Sequence, residues 1–230
     1  MIKERQDDLS RIVRHLVLHG SFMDNLGLLN GKIGLAIFFF HYAQYANKKL
    51  YDDFAGELID QIYDEIHKHY PYNFIDGLCG IVWGIEYLIQ KKFVEADADQ
   101  ILIDIDYQIL EHDVRRIKDK SLETGLEGIA RYVISRTCNR NHNNKIIPTD
   151  YIYDLINALK NDEPKSTIIN YLVQNLYDII DKKNINNNNI VYEYVKNTKY
   201  KKETLFDSKR PLGIINNGFA GIGIKMIQEA

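Results

Sequence analysis

Cysteine and histidine are the residues of this chain best able to hold a metal or activate a thiol; there are two of the first and seven of the second. Cys79 follows Gly77 by two residues, in what reads as the first turn of a helix. A helix N-terminus lowers the pKa of an accessible thiol, whereas a buried one there is a small packing residue. Cys138 and His142 have a Cys-x-x-x-His spacing that can hold a metal, but they fall in an asparagine-rich stretch. His15 and His19, four apart, share a helix face, with no acidic or sulfur partner in sequence. His67 and His69 do not share a face and suit the end of a helix. His41 follows Phe38-Phe39-Phe40 and either faces a central cavity or is a satisfied buried histidine. Among the acids, Asp24, Asp76 and Glu123 fall at the same kind of place in the sequence, described next, and Asp24 has no capping role to explain it. Asp104 and Asp106 diverge on a helix, so no carboxylate pair stands out as a glycosidase dyad. No Gly-x-Ser-x-Gly elbow offers a serine nucleophile.

The elements that must position these residues open with four short signatures: Gly31-x-x-Gly34, Gly77-x-x-Gly80, Gly125-x-x-Gly128 and Gly218-x-x-Gly221. The first glycines are 46, 48 and 93 residues apart, the last step close to twice the others, which is the period of a two-helix repeat. Asn30, Asp76, Thr124 and Asn217 precede them, and all four are good N-cap residues. The first glycine lets the chain turn into the helix; the second lies on the same face and admits a neighbouring backbone. Parallel inner helices, each followed by an antiparallel outer one, would gather four helix beginnings into a mildly positive mouth suited to carboxylate or phosphate. Asp24, Asn30, His41, Asp76, Cys79, Thr124 and Asn217 are the candidates for that mouth. Cap, glycine and apolar helix also make sense with no ligand. The signature is not a nucleotide-binding fingerprint, since no strand precedes it.

Apolar periodicity predicts helices over 3–19, 31–46, 51–69, 77–91, 97–118, 125–137, 151–160, 166–182, 189–197 and 218–229. Those after the glycines are apolar nearly all round, as befits a crowded centre. The intervening ones are one-sided: Phe54, Leu58, Ile62 and Ile66 in one, Ile101, Ile105 and Ile109 in another. Asparagine-rich loops lie near 139–149 and 183–190. No linker divides the chain, so one all-α repeat domain is expected over 1–230.

Net charge is -3 with both signs mixed, which gives no footprint for nucleic acid. Two cysteines make no disulfide framework and suit a reducing compartment. Met1 to Asp8 is too polar for a signal peptide. The greasiest run, Ile33 to Phe40, is far short of the about 20 residues of a membrane span. A cytoplasmic, non-transmembrane protein is the expectation. Tyr42, Tyr45, Tyr87, Tyr107 and Tyr132 could line a peptide groove or simply pack.

The segments Leu28-Leu-Asn-Gly-Lys-Ile-Gly-Leu-Ala36, Ile75-Asp-Gly-Leu-Cys-Gly-Ile81, Glu123-Thr-Gly-Leu-Glu-Gly-Ile129 and Asn217-Gly-Phe-Ala-Gly-Ile-Gly223 resemble the repeats of the lanthionine synthetase C-like (LanC-like) family. The resemblance covers 28–137 and 211–228 and is poor across 139–210. It implies an α/α toroid of nested helical hairpins, here reduced, incomplete or open. It also implies, in the cyclase members, a zinc ion held by two cysteines and a histidine, which activates a peptide thiolate for addition to a dehydroalanine or dehydrobutyrine. The family carries those ligands in Trp-Cys-x-Gly and Cys-His-Gly segments, with a further histidine before a repeat glycine. Here Trp83 is followed by Gly84, no Cys-His pair exists, and no repeat glycine follows a histidine. The expectation is a member without zinc or another cofactor, which binds a peptide or a partner enzyme of peptide modification or export. The alternatives are a thioether cyclase with a displaced site built on Cys79, Cys138 or histidines, and an α/α-toroid carbohydrate-active or scaffold protein, the last an oligomer if the ring is open.

Overall fold

The structure, a computed structural model, describes residues 2–138, 146–161, 166–183, 185 and 189–230, with side chains from residue 5 onward. His142, Asn139 to Asn144 and residues 186–188 lie outside the described residues. Among the described residues there are ten α-helices and no strand, so the chain is all-α. They are α1 (Ile2–Gly20), α2 (Lys32–Ala46), α3 (Lys49–Glu65), α4 (Leu78–Gln90), α5 (Ala98–Leu110), α6 (Leu126–Thr137), α7 (Thr149–Lys160), α8 (Thr167–Ile180), α9 (Ile190–Asn197) and α10 (Phe219–Gln228). No helix of the described residues is long and apolar enough to cross a membrane. The helices form two compact units, Met1–His67 with Asn189–Ala230, and Lys68–Asn188.

In the first unit, α2 is the centre. Its residues from Lys32 to Phe40 are all buried, because apolar side chains on every face leave none for solvent. The chain reverses at Asn47, whose left-handed φ of 50° asparagine tolerates, and whose N–H closes onto the end of α2. α3 therefore runs back antiparallel, with Ala55, Leu58 and Ile62 inward. The ion pair between Lys32, at the start of α2, and Glu65, at the end of α3, marks that direction. α10 packs on the other side of α2 and runs parallel to it, its Gly223 against the Phe38 ring. α1 and α9 pack on α10.

In the second unit α4 is the buried centre, from Leu78 through Leu88. Trp83 stacks on Tyr87 at 5.6 Å and meets the Phe74 ring edge-on at 6.3 Å. α6 packs parallel to α4. α5 returns antiparallel, which brings His112 beyond its end onto Tyr72 before α4, ring centroids 4.1 Å apart. α7 and α8 pack on α6 and on each other.

Two predicted helices stop early. α3 ends at Glu65 rather than residue 69, and α5 at Leu110 rather than 118, followed by a 3₁₀ turn at Val114–Arg116 whose first N–H groups Asp113 caps. In both cases the freed residues supply the loop that wraps the next helix start. His67 and His69 consequently lie beyond the helix, not in its last turn.

Candidate functional site

The four glycine-opened helices begin in one way, and it is not the way the capping residues suggest. Gly31, Gly77, Gly125 and Gly218 are themselves the N-caps, with no side-chain cap bond. Asn30, Asp76, Thr124 and Asn217 stand one residue too early to cap. The first-turn N–H groups are taken by carbonyls of the preceding loop. In α2, Lys32 and Ile33 donate to Asn25 (2.9 Å) and Leu26 (3.2 Å). In α4, Leu78 and Cys79 donate to Pro71 (2.8 Å) and Tyr72 (3.2 Å). In α6, Leu126 donates to Asp119 (2.9 Å). In α10, Phe219, Ala220 and Gly221 donate to Pro211, Leu212 and Gly213.

This close wrap explains the glycines of the signatures. None has a positive φ; Gly31, Gly34, Gly77, Gly125, Gly128, Gly218 and Gly221 are each pressed by backbone. A Cβ on Gly77 would lie 2.3 Å from the Pro71 carbonyl oxygen, and one on Gly34 2.4 Å from that of Leu28. Gly128 and Gly221 are held likewise by the carbonyls of Leu122 and Ile214. The helix starts also lie side by side in pairs. Phe74 N–H donates to Glu123 O at 3.1 Å, joining the lead-in loops of α4 and α6. Ile214 N–H donates to Leu29 O at 2.7 Å, joining those of α10 and α2.

The expected mouth changes character. Most of the first-turn N–H groups that would draw an anion are already spent on the chain's own carbonyls. Cys79 is fully buried in the first turn of α4, and burial pushes its thiol well above the usual range, so it is no accessible nucleophile. His41 stands ten residues into α2, roughly 15 Å along the axis from its start, and so does not join the mouth. Asp24 is exposed and Asn30 and Asp76 half-buried, all in lead-in loops, where the Asp76 N–H donates to Asn73 Oδ1 at 2.9 Å. Thr124 is exposed and its hydroxyl holds Asp119, whose carboxyl that bond and the Ser121 N–H keep below the usual range.

Of the sequence candidates, Asn217 lines a cavity. A cleft of about 590 Å³ opens before α10, and among its walls are Lys199, Lys201, Asp207, Lys209, Arg210 and Asn217. Asn216 and Asn217 both sit in the left-handed region, φ 56° and 55°, which asparagine tolerates. The Lys199 N–H donates to Asn217 Oδ1 at 2.6 Å. Arg210 is structural: Nε donates to Leu205 O and Nη2 to Thr204 O, each at 2.9 Å, and Nη1 to Asn217 O. The alternation Lys199-Tyr200-Lys201 with Lys209-Arg210 carried this signal in the sequence, but short basic pairs elsewhere drew no distinction.

A second polar constellation was illegible in sequence because its members come from three helices. Arg136, on α6 and only 1% exposed, donates from Nε to both oxygens of Asp106 on α5 at 3.0 Å and from Nη1 to Glu86 on α4 at 2.5 Å. Its Nη2 is 3.4 Å from Asp99. Tyr132 adds a hydroxyl bond to Asp106 at 2.8 Å. One cation thus meets three carboxylates. Burial raises Glu86 to about 7 despite Arg136, whose charge Asp106 shares, and burial likewise raises Asp106.

Cys138 closes the far end of α6, its thiol pushed to about 12 by burial and by Glu86. Cys79 lies at the near end of parallel α4, so the two are separated by on the order of 16 Å along the bundle, too far to share one ion. Among the described residues no three histidine, cysteine or acidic side chains cluster as metal ligands. A scan against protein-family models and a search of the curated proteins each gave no match.

Proposed function

We propose that this chain is a reduced LanC-like α/α-toroid protein that works without the family's zinc site, and that it binds a peptide or a partner enzyme of peptide modification or export. The observation that carries the reading is the same looped helix start built four times, with the last repeat seated beside the first. A linear array of repeats leaves its terminal members apart; neighbouring first and last repeats are what a cycle of hairpins produces. Against cyclase chemistry at the two cysteines stands their separation, since the ligands of one zinc must converge.

The test is elemental analysis of the purified chain after dialysis against a chelator, with a peptide carrying one cysteine and one dehydroalanine as the cyclisation substrate. The expected result is well below one zinc per chain and no acceleration of thioether formation. Stoichiometric zinc retained through chelation, or zinc-dependent ring closure, would overturn the reading.

One observation favours a scaffold as the second reading. Val13, Val17 and Leu18 of α1 and Leu50, Tyr51 and Phe54 of α3 line an apolar groove of about 390 Å³, with Leu18 66% and Leu50 70% exposed. Exposed apolar surface of this kind marks association sites. Sedimentation over a concentration series would detect the oligomer this reading expects, and a monomer throughout removes self-association from it.

A further inference from the structure

We infer that the basic cleft before α10 holds an acidic peptide segment, with carboxylate side chains seated on the ammonium groups of Lys199, Lys201 and Lys209. This deepens the peptide-binding reading above and rests on it. The cleft offers three lysines and one arginine against a single lining carboxylate, Asp207, in a chain whose net charge is -3. The local balance is therefore opposite in sign to that of the whole protein, which draws anions to the cleft.

What separates carboxylate from phosphate is which donors remain. Phosphate recognition favours a guanidinium fork or a helix N-terminus with free N–H groups. Here the Arg210 fork is committed to the carbonyls of Leu205, Thr204 and Asn217. The first three N–H groups of α10 are committed to Pro211, Leu212 and Gly213. The three lysine ammoniums are exposed, and none has a partner among the described residues. Each is a point charge without the fork that clasps a single phosphate, which suits the separate carboxylates of an acidic peptide. Tyr200 and Pro211 supply apolar wall between them, against which an extended backbone can lie. Arg210 braces the groove: its three bonds tie residues 204–205 to Asn217.

The experiment is fluorescence anisotropy with the full chain and a labelled peptide of alternating glutamate and serine, beside the matched glutamine peptide. Binding of the glutamate peptide alone, weakened by added salt, is expected. Lys199→Gln/Lys201→Gln/Lys209→Gln should weaken it about tenfold, the order that three exposed ion pairs supply. These side chains make no bond among the described residues, so circular dichroism should be unchanged. Asp207→Asn keeps the oxygen that accepts the Lys209 N–H at 2.9 Å and removes the competing charge, so it should tighten binding. Equal binding of the two peptides, undiminished binding by the triple variant, or displacement by inorganic phosphate at concentrations where acetate does nothing would each overturn the assignment. So would preference for an oligonucleotide. Zinc retention or cyclisation would overturn the broader reading while leaving the lysine result standing, so the two failures are distinguishable.

Discussion

Replacing Gly125 by alanine tests the wrapped helix start directly. A Cβ there would lie 2.4 Å from the Asp119 carbonyl oxygen, 2.6 Å from its carbonyl carbon and 2.7 Å from the Ser121 nitrogen. All three are backbone atoms, so no side chain can swing aside, and the loop must retreat by roughly 1 Å to reach ordinary contact distance. That retreat pulls the Asp119 carbonyl from the Leu126 N–H, now at 2.9 Å, and disturbs the turn that Asp119 Oδ1 makes with the Ser121 N–H at 2.8 Å. A buried donor left without its acceptor costs about 1–3 kcal/mol, and overpacking adds about 1–3 kcal/mol. The reduced freedom of the unfolded chain gives back about 0.4–1 kcal/mol. The net loss should be about 2–4 kcal/mol, or a fall in Tm of roughly 5–15 °C at about 2–4 °C per kcal/mol for a chain of this size. Gly56→Ala is the matched control. Gly56 lies within α3 with nothing inside 4 Å of its would-be Cβ. Alanine there should stabilise by up to about 1 kcal/mol through helix propensity alone. Urea unfolding followed by far-UV circular dichroism reads both. If Gly125→Ala falls within about 0.5 kcal/mol of the parent, or if Gly56→Ala is equally harmful, close backbone approach is not why the signature glycines are there.

Glu86, raised to about 7 from 4.5, binds a proton in the folded state that the unfolded chain has already released between those values. Stability should therefore fall as pH rises from about 4.5 to about 7, by up to about 3 kcal/mol, and Glu86→Gln should flatten that slope in a pH series of unfolding curves. Arg136→Met leaves Asp106, which is fully buried, without its cation and should cost about 3–5 kcal/mol, whereas replacing Arg136 and Asp106 together by apolar residues should cost less than the single change; urea titrations of both variants decide it. Cys79 and Cys138 should react slowly with a thiol reagent at pH 8 in the native protein and rapidly in urea, since burial withholds both thiolates. Arg5 Nη1 donates to Glu229 O at 2.8 Å, which places the two ends of the first unit together. Residues 189–230 joined by a short flexible linker to residues 2–67 should fold as one chain, shown by cooperative thermal unfolding; a non-cooperative melt refutes it.

The helices were legible because their determinants are local. Apolar spacing places α2, α4, α6 and α10 to within about one residue, and the charged intervals between Leu58 and Ile62 mark α3 as one-sided. The lead-ins were misread because sequence shows a good capping residue before each glycine and cannot show that a carbonyl six positions further back already holds the same N–H. A trace existed all the same: Asn25, Pro71 and Asp119 each stand six residues before their glycine, and Pro211 stands seven before its own. Turn-forming residues at an offset of six or seven are readable once the loop is known to wrap. Arg136 was unreadable for another reason. Its partners lie 30, 37 and 50 residues away on two other helices, and nothing local distinguishes it from a solvated arginine at a helix end.

Those four turn residues are of two kinds, and the kinds are paired. Asn25 and Asp119 each accept through Oδ1 from the N–H two residues on, that of Gly27 and of Ser121, both at 2.8 Å. Pro71 and Pro211 fix their turns through the ring instead. In each unit one proline lead-in lies against one Asn/Asp lead-in, and the bonds run one way. Phe74 and Ile75 donate to the carbonyl of Glu123; Ile214 and Ile215 donate to that of Leu29. Glu123 and Leu29 stand at the same offset, two residues before their glycines. By this correspondence α4, α5 and α6 match α10, α1 and α2, and α1 packs on α10 as α5 does on α4. In one unit the matched helices follow chain order. In the other, the same order is obtained only by passing from the last helix to the first. Each unit therefore holds the same three-helix arrangement, and in the first unit it is assembled from helices that stand far apart in sequence.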